Sequence, residues 1–323
     1  MQNVPVRHWY GFGLSLLTAL LWGMLPVFLK LSLEAMDAIS ITWYRFTLAA
    51  LVVGFMLYRS KALPPMRSIS RSNNLLIASA AVGLIANYVL YLLGLDYLNP
   101  ETAQVLIQLA PFLLMVGGIL IYRERFNKLE TLGAVILLAG LLLFFNDRLP
   151  VLFSSLGRYT QGVLLIIVAA VTWAGYALSQ KVLLRALTAR QLTLILYVAG
   201  TLVLLPFSDL GLIWGMSSLQ LFALLFCCAN TVVAYGAFTE ALHIWHASKV
   251  SAVIALAPLF TFTSMELAVR IWPDHFAASD LDHWAYIGAG MVMLGSMLAA
   301  VGKAKPSHGE SVNIAAPAEE QRR

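Results

Sequence analysis

The strongest constraint on this chain is a series of ten apolar runs, each close to the 20 residues a helix needs to cross a hydrocarbon core about 30 Å thick. They cover residues 10–29, 38–58, 73–95, 102–122 and 129–146, then 160–180, 191–208, 217–242, 247–270 and 284–302. Hydrocarbon offers no water to backbone N–H and C=O groups, so such segments fold as helices. Connections are short, and only 303–323, with Pro306, Gly309, Pro317 and a closing Glu-Glu-Gln-Arg-Arg, reads as a disordered tail. Composition agrees: 60% of residues are hydrophobic, 11% are charged and the mean hydropathy is +0.80. Too few ionic side chains remain to clothe a water-facing surface. An ordinary soluble enzyme, a secreted disulfide scaffold and a nucleic-acid binder are therefore excluded. Arg7 precedes the first run, which exceeds a signal peptide's apolar core of about 7–15 residues and meets no Ala-x-Ala site before Lys30. It is expected to span rather than to be cleaved.

The net charge of +5 acquires meaning from its distribution. If the N-terminus is cytoplasmic, the cytoplasmic segments hold Arg7; Arg59, Lys61, Arg67 and Arg71; Arg123, Arg125 and Lys128; Lys181, Arg185 and Arg190; Lys249; and Lys303, Lys305, Arg322 and Arg323. Only Lys30, Arg148, Arg158 and Arg270 fall on the other side, with Arg45 inside a span. Cytoplasmic loops carry the Lys and Arg excess, so both termini are expected in the cytoplasm of a bacterial inner-membrane type of protein. Cys227 and Cys228 are adjacent in the eighth run, fit no metal or redox spacing, and read as packing residues.

The sequence also repeats itself. Trp22 precedes Lys30 by eight residues and Trp173 precedes Lys181 by eight. Leu109-Ala110-Pro111 in the fourth run returns as Leu256-Ala257-Pro258 in the ninth, and the same offset of 147 pairs Tyr88 with Tyr235. Gly133-Ala134 with Gly140 returns as Gly288-Ala289 with Gly295. The matched features keep their order, which divides the chain into residues 1–146, a connection at 147–159, a second copy at 160–302 and the tail. Five spans per copy is an odd number, so the second copy enters the membrane from the opposite side. The expected fold class is thus an all-α polytopic membrane protein of ten helices in two inverted five-helix repeats, a recurrent architecture of secondary transporters.

These residues resemble the EamA branch of the drug/metabolite transporter superfamily. The likeness rests on the Trp and terminal Lys of each first helix, the Ala-Pro of each fourth helix, Arg123-Glu124-Arg125, and Leu132-Gly133-Ala134 through Leu138-Ala139-Gly140, and it extends over about residues 10–302. It implies a carrier for small metabolites, often an exporter, with a central cavity lined by the first, third, fourth, sixth, eighth and ninth helices. The expected partners are a small-molecule substrate and the lipid bilayer, not nucleic acid, in a monomer or a weak homodimer, with no cofactor and no metal. Two departures stand out. The second copy replaces Arg123-Glu124-Arg125 with Trp272-Pro273-Asp274-His275-Phe276 and a longer loop, and Arg45 has Tyr197 near its matching place.

Polar groups that persist in hydrocarbon usually face a cavity or a partner. Trp22, Pro26 and Lys30 recur every four residues on one helix face, and Pro26 frees a carbonyl. One reading places them at the substrate; the other makes them a packing kink with a Lys snorkelling to the interface. Asn87, Tyr88 and Tyr91 on the third span and Gln104 and Gln108 on the fourth offer amides and phenols suited to a polyfunctional metabolite, or else hydrogen bonds between helices. The second copy contributes Trp173, Tyr176, Gln180, Lys181, Asn230, Tyr235 and Ser251. Pro26, Pro111 and Pro258 are the expected hinges. Aromatic and amide groups outnumber charges, which favours an amphipathic, aromatic or zwitterionic substrate. Arg45 serves either as a fixed charge for a carboxylate or, as the preferred reading, as a snorkelling or salt-bridged structural group. Glu266 and Arg270 are expected to pair. Glu240, His243 and His246 drift around a helix and read as a polar cap in preference to a metal set.

Three function classes compete. A transporter accounts for the inverted duplication. A membrane-embedded enzyme lacks Gly-x-Ser-x-Gly, His-Glu-x2-His and any Gly-rich nucleotide loop. A structural membrane protein leaves the inverted repeat without a purpose.

Overall fold

A computed structural model describes residues 8–64, 71–122, 127–154 and 156–302; Arg123-Glu124-Arg125 and the tail lie outside the described residues. Every regular element among those residues is helical. The first half runs α1 (His8–Leu33), α2 (Ala38–Arg59), α3 (Arg71–Tyr97), a fourth span in two pieces, α4 (Pro100–Leu106) and α5 (Leu109–Tyr122), and then α6 (Lys128–Phe144). The short α7 (Leu149–Ser154) crosses to the second half: α8 (Arg158–Leu183), α9 (Ala189–Leu204), α10 (Ser218–Ile244), a ninth span split into α11 (Ala247–Ile254) and α12 (Ala257–Ile271), and α13 (His283–Gly302). Nine of these crossing segments are long and apolar enough to span a membrane. The tenth, α6, has 17 residues, or about 25 Å of helix, the short end of the spanning range.

Local sequence sets where the helices begin. Asp37 accepts from the N–H groups of Ile39 and Ser40 to cap α2, and Asn99 caps α4 through Thr102. Asn127 with Glu130, Thr188 with Gln191, and Ser217 with Gln220 close reciprocal capping boxes on α6, α9 and α10. Each side chain satisfies donors that the first helical turn cannot bond internally.

The halves pack through exchanged contacts. The helix α1 lies against α10 and α3 against α8, while α2 packs on α9 and α6 on α13. Since α1 corresponds to α8 and α3 to α10, these are one contact used twice, as a pseudo-two-fold axis requires. The closest approach is between α6 and α13. A Cβ on Gly133 would stand 2.6 Å from the Gly295 carbonyl oxygen, and one on Gly140 would stand 2.8 Å from that of Gly288. Gly133 matches Gly288 and Gly140 matches Gly295, so each glycine meets the other's counterpart. Small residues that let backbones meet are the usual means of joining helices in lipid.

Gly140→Val and Gly295→Val are expected to destabilise the fold by about 1–3 kcal/mol each through overpacking. A side chain at Gly13 would meet nothing within 4 Å, so Gly13→Val serves as the neutral control, and thermal unfolding in detergent compares the three.

Candidate functional site

Both halves break a helix at the same place. The fourth span loses its regular ladder at Ile107 and Gln108 and the ninth at Ala255 and Leu256. Pro111 and Pro258 lie in the first turns of α5 and α12, where a missing N–H costs nothing. The end of α11 leaves the Ala255 carbonyl without a helical partner, and Gln108 Nε2 donates to it at 3.2 Å. Gln108 and Ala255 are 147 residues apart, the repeat offset itself, so the two breaks meet on the pseudo-two-fold axis. Of the expected hinges, Pro111 and Pro258 stand at these breaks. Pro26 sits inside an unbroken α1, where it deprives the Trp22 carbonyl of its usual donor.

An aromatic cluster occupies the interior around this axis. The Tyr176 and Tyr235 hydroxyls are 2.9 Å apart, and Trp22 lies 6.4 Å from the Tyr235 ring and 5.5 Å from that of Phe238. Phe46 packs on Tyr88 at 4.7 Å and on Tyr197 at 5.3 Å. Counted from the caps Asp37 and Thr188, Phe46 and Tyr197 are repeat counterparts, and Arg45 then corresponds to Leu196. Trp173 is half-buried in the same cluster. The second and seventh spans therefore contribute to the centre as well as the six that the family resemblance implied.

Arg45 is the charge in that cluster. It is 4% exposed, its guanidinium carbon lies 4.6 Å from the Tyr88 ring centre, and its Nε donates to Thr231 Oγ1 at 3.1 Å. Among the described residues no carboxylate lies within 4 Å of it. The preferred sequence reading, snorkelling or a structural salt bridge, does not describe this geometry. Arg at mid-span costs about 2.5–3.5 kcal/mol on insertion scales, and a desolvated cation–π contact returns about 2.

Other expected site residues are committed to neighbouring helices. Lys30 directs its ammonium at the carbonyls of Leu95, Asp96 and Leu98 at 2.7, 2.8 and 2.9 Å. An ammonium has three donors, so all are taken by the C-terminal end of α3. Asn87 donates to the Ala169 carbonyl and Asn230 to that of Leu21, tying α3 to α8 and α10 to α1. The Asn230 carbonyl oxygen is buried without a partner. Tyr91 donates to Gln104 at 3.4 Å. Lys181 stands 4.6 Å from the Tyr122 ring, and Ser251 is exposed. Glu266 and Arg270 pair at 2.7 Å. Cys227 and Cys228 are free and buried. Among the described residues no three His, Cys, Asp or Glu side chains are placed to hold a metal; the His243 side chain lies outside them.

The long loop after α12 fastens the end of the bundle opposite the N-terminus. His275 meets Glu34 at 2.8 Å, Ser279 donates to Glu101 at 2.7 Å, Arg148 donates to the Asp280 carbonyl at 3.0 Å and Asn146 donates to Asp282 at 3.1 Å. Phe276 is buried, and Trp272 packs 6.3 Å from Phe28. One oxygen of Glu101, a residue 4% exposed, has no partner. Cavities of about 330 and 500 Å³ lie at this end, the first lined by Glu34, Asp37 and Asp96, the second by Glu101, Glu266 and Ser279. Desolvation and then the neighbouring Asp282 carboxylate push the Asp147 carboxyl up; desolvation opposes, but the Ala285 N–H and Asn146 hold Asp282 down.

Sequence reasoning missed Phe46, Tyr197, Thr231, Phe238, Glu34 and Glu101. The signal for the first two was the offset of 151 between the caps of α2 and α9; nothing local marks the others.

The model of the EamA-like transporter family matches residues 9–146 and again residues 160–301. The chain is 41% identical over 293 residues to the uncharacterized inner membrane transporter YhbE of Escherichia coli K12, covering 90% of this chain and 91% of that protein. It is 37% identical to an uncharacterized transporter of Haemophilus influenzae, covering 90% and 95%. It is 22% identical to a protein of Escherichia coli K12 named a probable amino-acid metabolite efflux pump, covering 87% and 92%. A crystal structure 18% identical superposes with a TM-score of 0.62 over 93% of this chain and 99% of its own, a likeness of fold alone.

Lys30→Met leaves the α3 carbonyls without their donors and is expected to cost about 1–3 kcal/mol of stability. Thermal unfolding of the purified variant checks it, and an unchanged midpoint would mean that the three bonds carry no weight.

Proposed function

The chain belongs to the EamA-like transporter family, and from that membership we propose that it exports a small amphipathic metabolite, an amino acid or a related compound, across a bacterial inner membrane by alternating access. The observation that carries this reading is the meeting of two broken helices on the pseudo-two-fold axis. Irregular backbone at membrane depth is tolerated where it lines a cavity or is buried in protein, and inverted-repeat carriers place their substrate sites at such breaks near the midplane. The aromatic cluster beside the breaks suits an apolar or aromatic substrate body, with Trp22, Tyr91, Gln108, Trp173 and Tyr235 as contacts. Export is favoured by the name of one relative, a probable amino-acid metabolite efflux pump.

In this reading both termini are cytoplasmic, which follows from the Lys and Arg excess at the N-terminal end of the bundle. The loop clasp at the far end is then periplasmic and closes that side. Pro111 and Pro258 let the paired half-helices tilt as the halves rock. The site is completed within one chain, so a monomer suffices and any homodimer is weak.

Proteoliposomes loaded with a panel of amino acids and related metabolites should show counterflow for at least one class. Folded, oriented protein that exchanges none of them would end the carrier reading. Trp22→Ala and Trp173→Ala should each slow counterflow about three- to tenfold, the scale of one lost aromatic contact, with unfolding midpoints near that of the unsubstituted protein. Full rates in both variants would remove the two indoles from the site.

A further inference from the structure

We propose that the substrate carries a carboxylate and that Arg45 is the residue that receives it. This rests on the carrier reading above and adds the chemical class of the cargo. The argument begins with an imbalance of charge. Arg45 carries a guanidinium, 4% exposed, inside a spanning helix. Its Nε is used by Thr231 and its face by the Tyr88 ring, but its two terminal nitrogens make no hydrogen bond with any described residue, and no described carboxylate is within ion-pair reach. Lys30, by contrast, is saturated by three carbonyls. What Arg45 lacks is a planar, singly charged acceptor, and the two terminal N–H pairs of a guanidinium match the two oxygens of a carboxylate.

The surroundings select a carboxylate over a phosphate. One fixed positive charge neutralises a monoanion, whereas a phosphate dianion would leave an uncompensated negative charge in hydrocarbon. The Tyr88 ring lies against the guanidinium and packs on Phe46, which in turn packs on Tyr197, so the rest of the substrate meets aromatic rings and phenolic hydroxyls. Thr231 orients the guanidinium by holding Nε and leaving the terminal fork open.

The test uses the purified full chain with matched pairs: phenylalanine and phenylalaninamide, leucine and leucinamide, and 3-phenylpropionate and its amide. Thermal stabilisation reports binding and proteoliposome counterflow reports transport. At least one acid should stabilise the protein while its amide does not, and Arg45→Gln should weaken that acid about ten- to a hundredfold, with Arg45→Lys between the two. Should Arg45→Gln fail to fold, the acid-against-amide comparison on the unsubstituted protein and the Arg45→Lys variant still decide. Exchange of amides as readily as acids, or equal acid binding by Arg45→Gln, overturns the assignment of Arg45 and leaves the carrier standing. Phenyl phosphate preferred over every carboxylate, or equal stabilisation by chloride alone, also overturns it. No exchange of any compound ends the carrier reading and this one with it.

Discussion

The structure depends on the rule that no backbone polar group can be left unbonded in hydrocarbon. A continuous helix obeys it without assistance. A broken helix does not, so a break survives only where a second element supplies the missing partner. In this protein the fourth span ends its first piece at Leu106 and the ninth ends its first piece at Ile254, and each break lies where the other half can reach it. The amide of Gln108 on the Ala255 carbonyl is the visible form of that help. Moving either break one turn along its helix would take it off the axis and out of reach. The hydrogen-bonding requirement thus fixes where an inverted repeat can carry irregular backbone, and with it where a polar substrate can be held.

The same axis explains why the packing looks redundant. Asn230 of α10 donates to Leu21 of α1; at the matching place Gly83 of α3 lies against the Thr172 carbonyl of α8. Asn87 donates to Ala169, and its counterpart Ala234 accepts from Thr18 with its own carbonyl. The geometry of the contact is kept while its chemistry changes. The glycine contacts of α6 and α13 have kept both, because a Cβ on either side would meet backbone rather than a flexible side chain. Steric exclusion preserves symmetry more strictly than hydrogen bonding does.

Much of this was legible in the sequence because it depends on local or periodic rules. Span length and the collinear Trp, Ala-Pro and glycine features all follow from chemistry within a few residues of each other. The odd number of spans then dictated inversion. Lys30 was ambiguous because a terminal Lys can snorkel or face a cavity, and only the position of the α3 carbonyls decides. The loop after α12 carried no signal for its role: His275, Ser279 and Asp280 find partners in Glu34, Glu101 and Arg148, scattered over the other half of the chain. Arg45 was conspicuous as a mid-span charge, but its environment was set by α3 and α10, which a reading of α2 alone does not contain.

Arg45 also bears on what symmetry can and cannot do for a carrier. Two inverted halves in perfect register would present a substrate with the same groups from either side and give it no preferred heading. The pairs Phe46 with Tyr197 and Tyr88 with Tyr235 come close to that condition, since aromatic faces oppose aromatic faces across the axis. Arg45 breaks it, because its counterpart is the buried Leu196. A single positive charge on one side of an otherwise balanced aromatic enclosure would make the two ends of a molecule bound there inequivalent. Its position on α2, which packs on α9 and α10, also means that the charge belongs to one half while its hydroxyl partner Thr231 belongs to the other. Rocking the halves, as the proposed cycle requires, would change that contact directly.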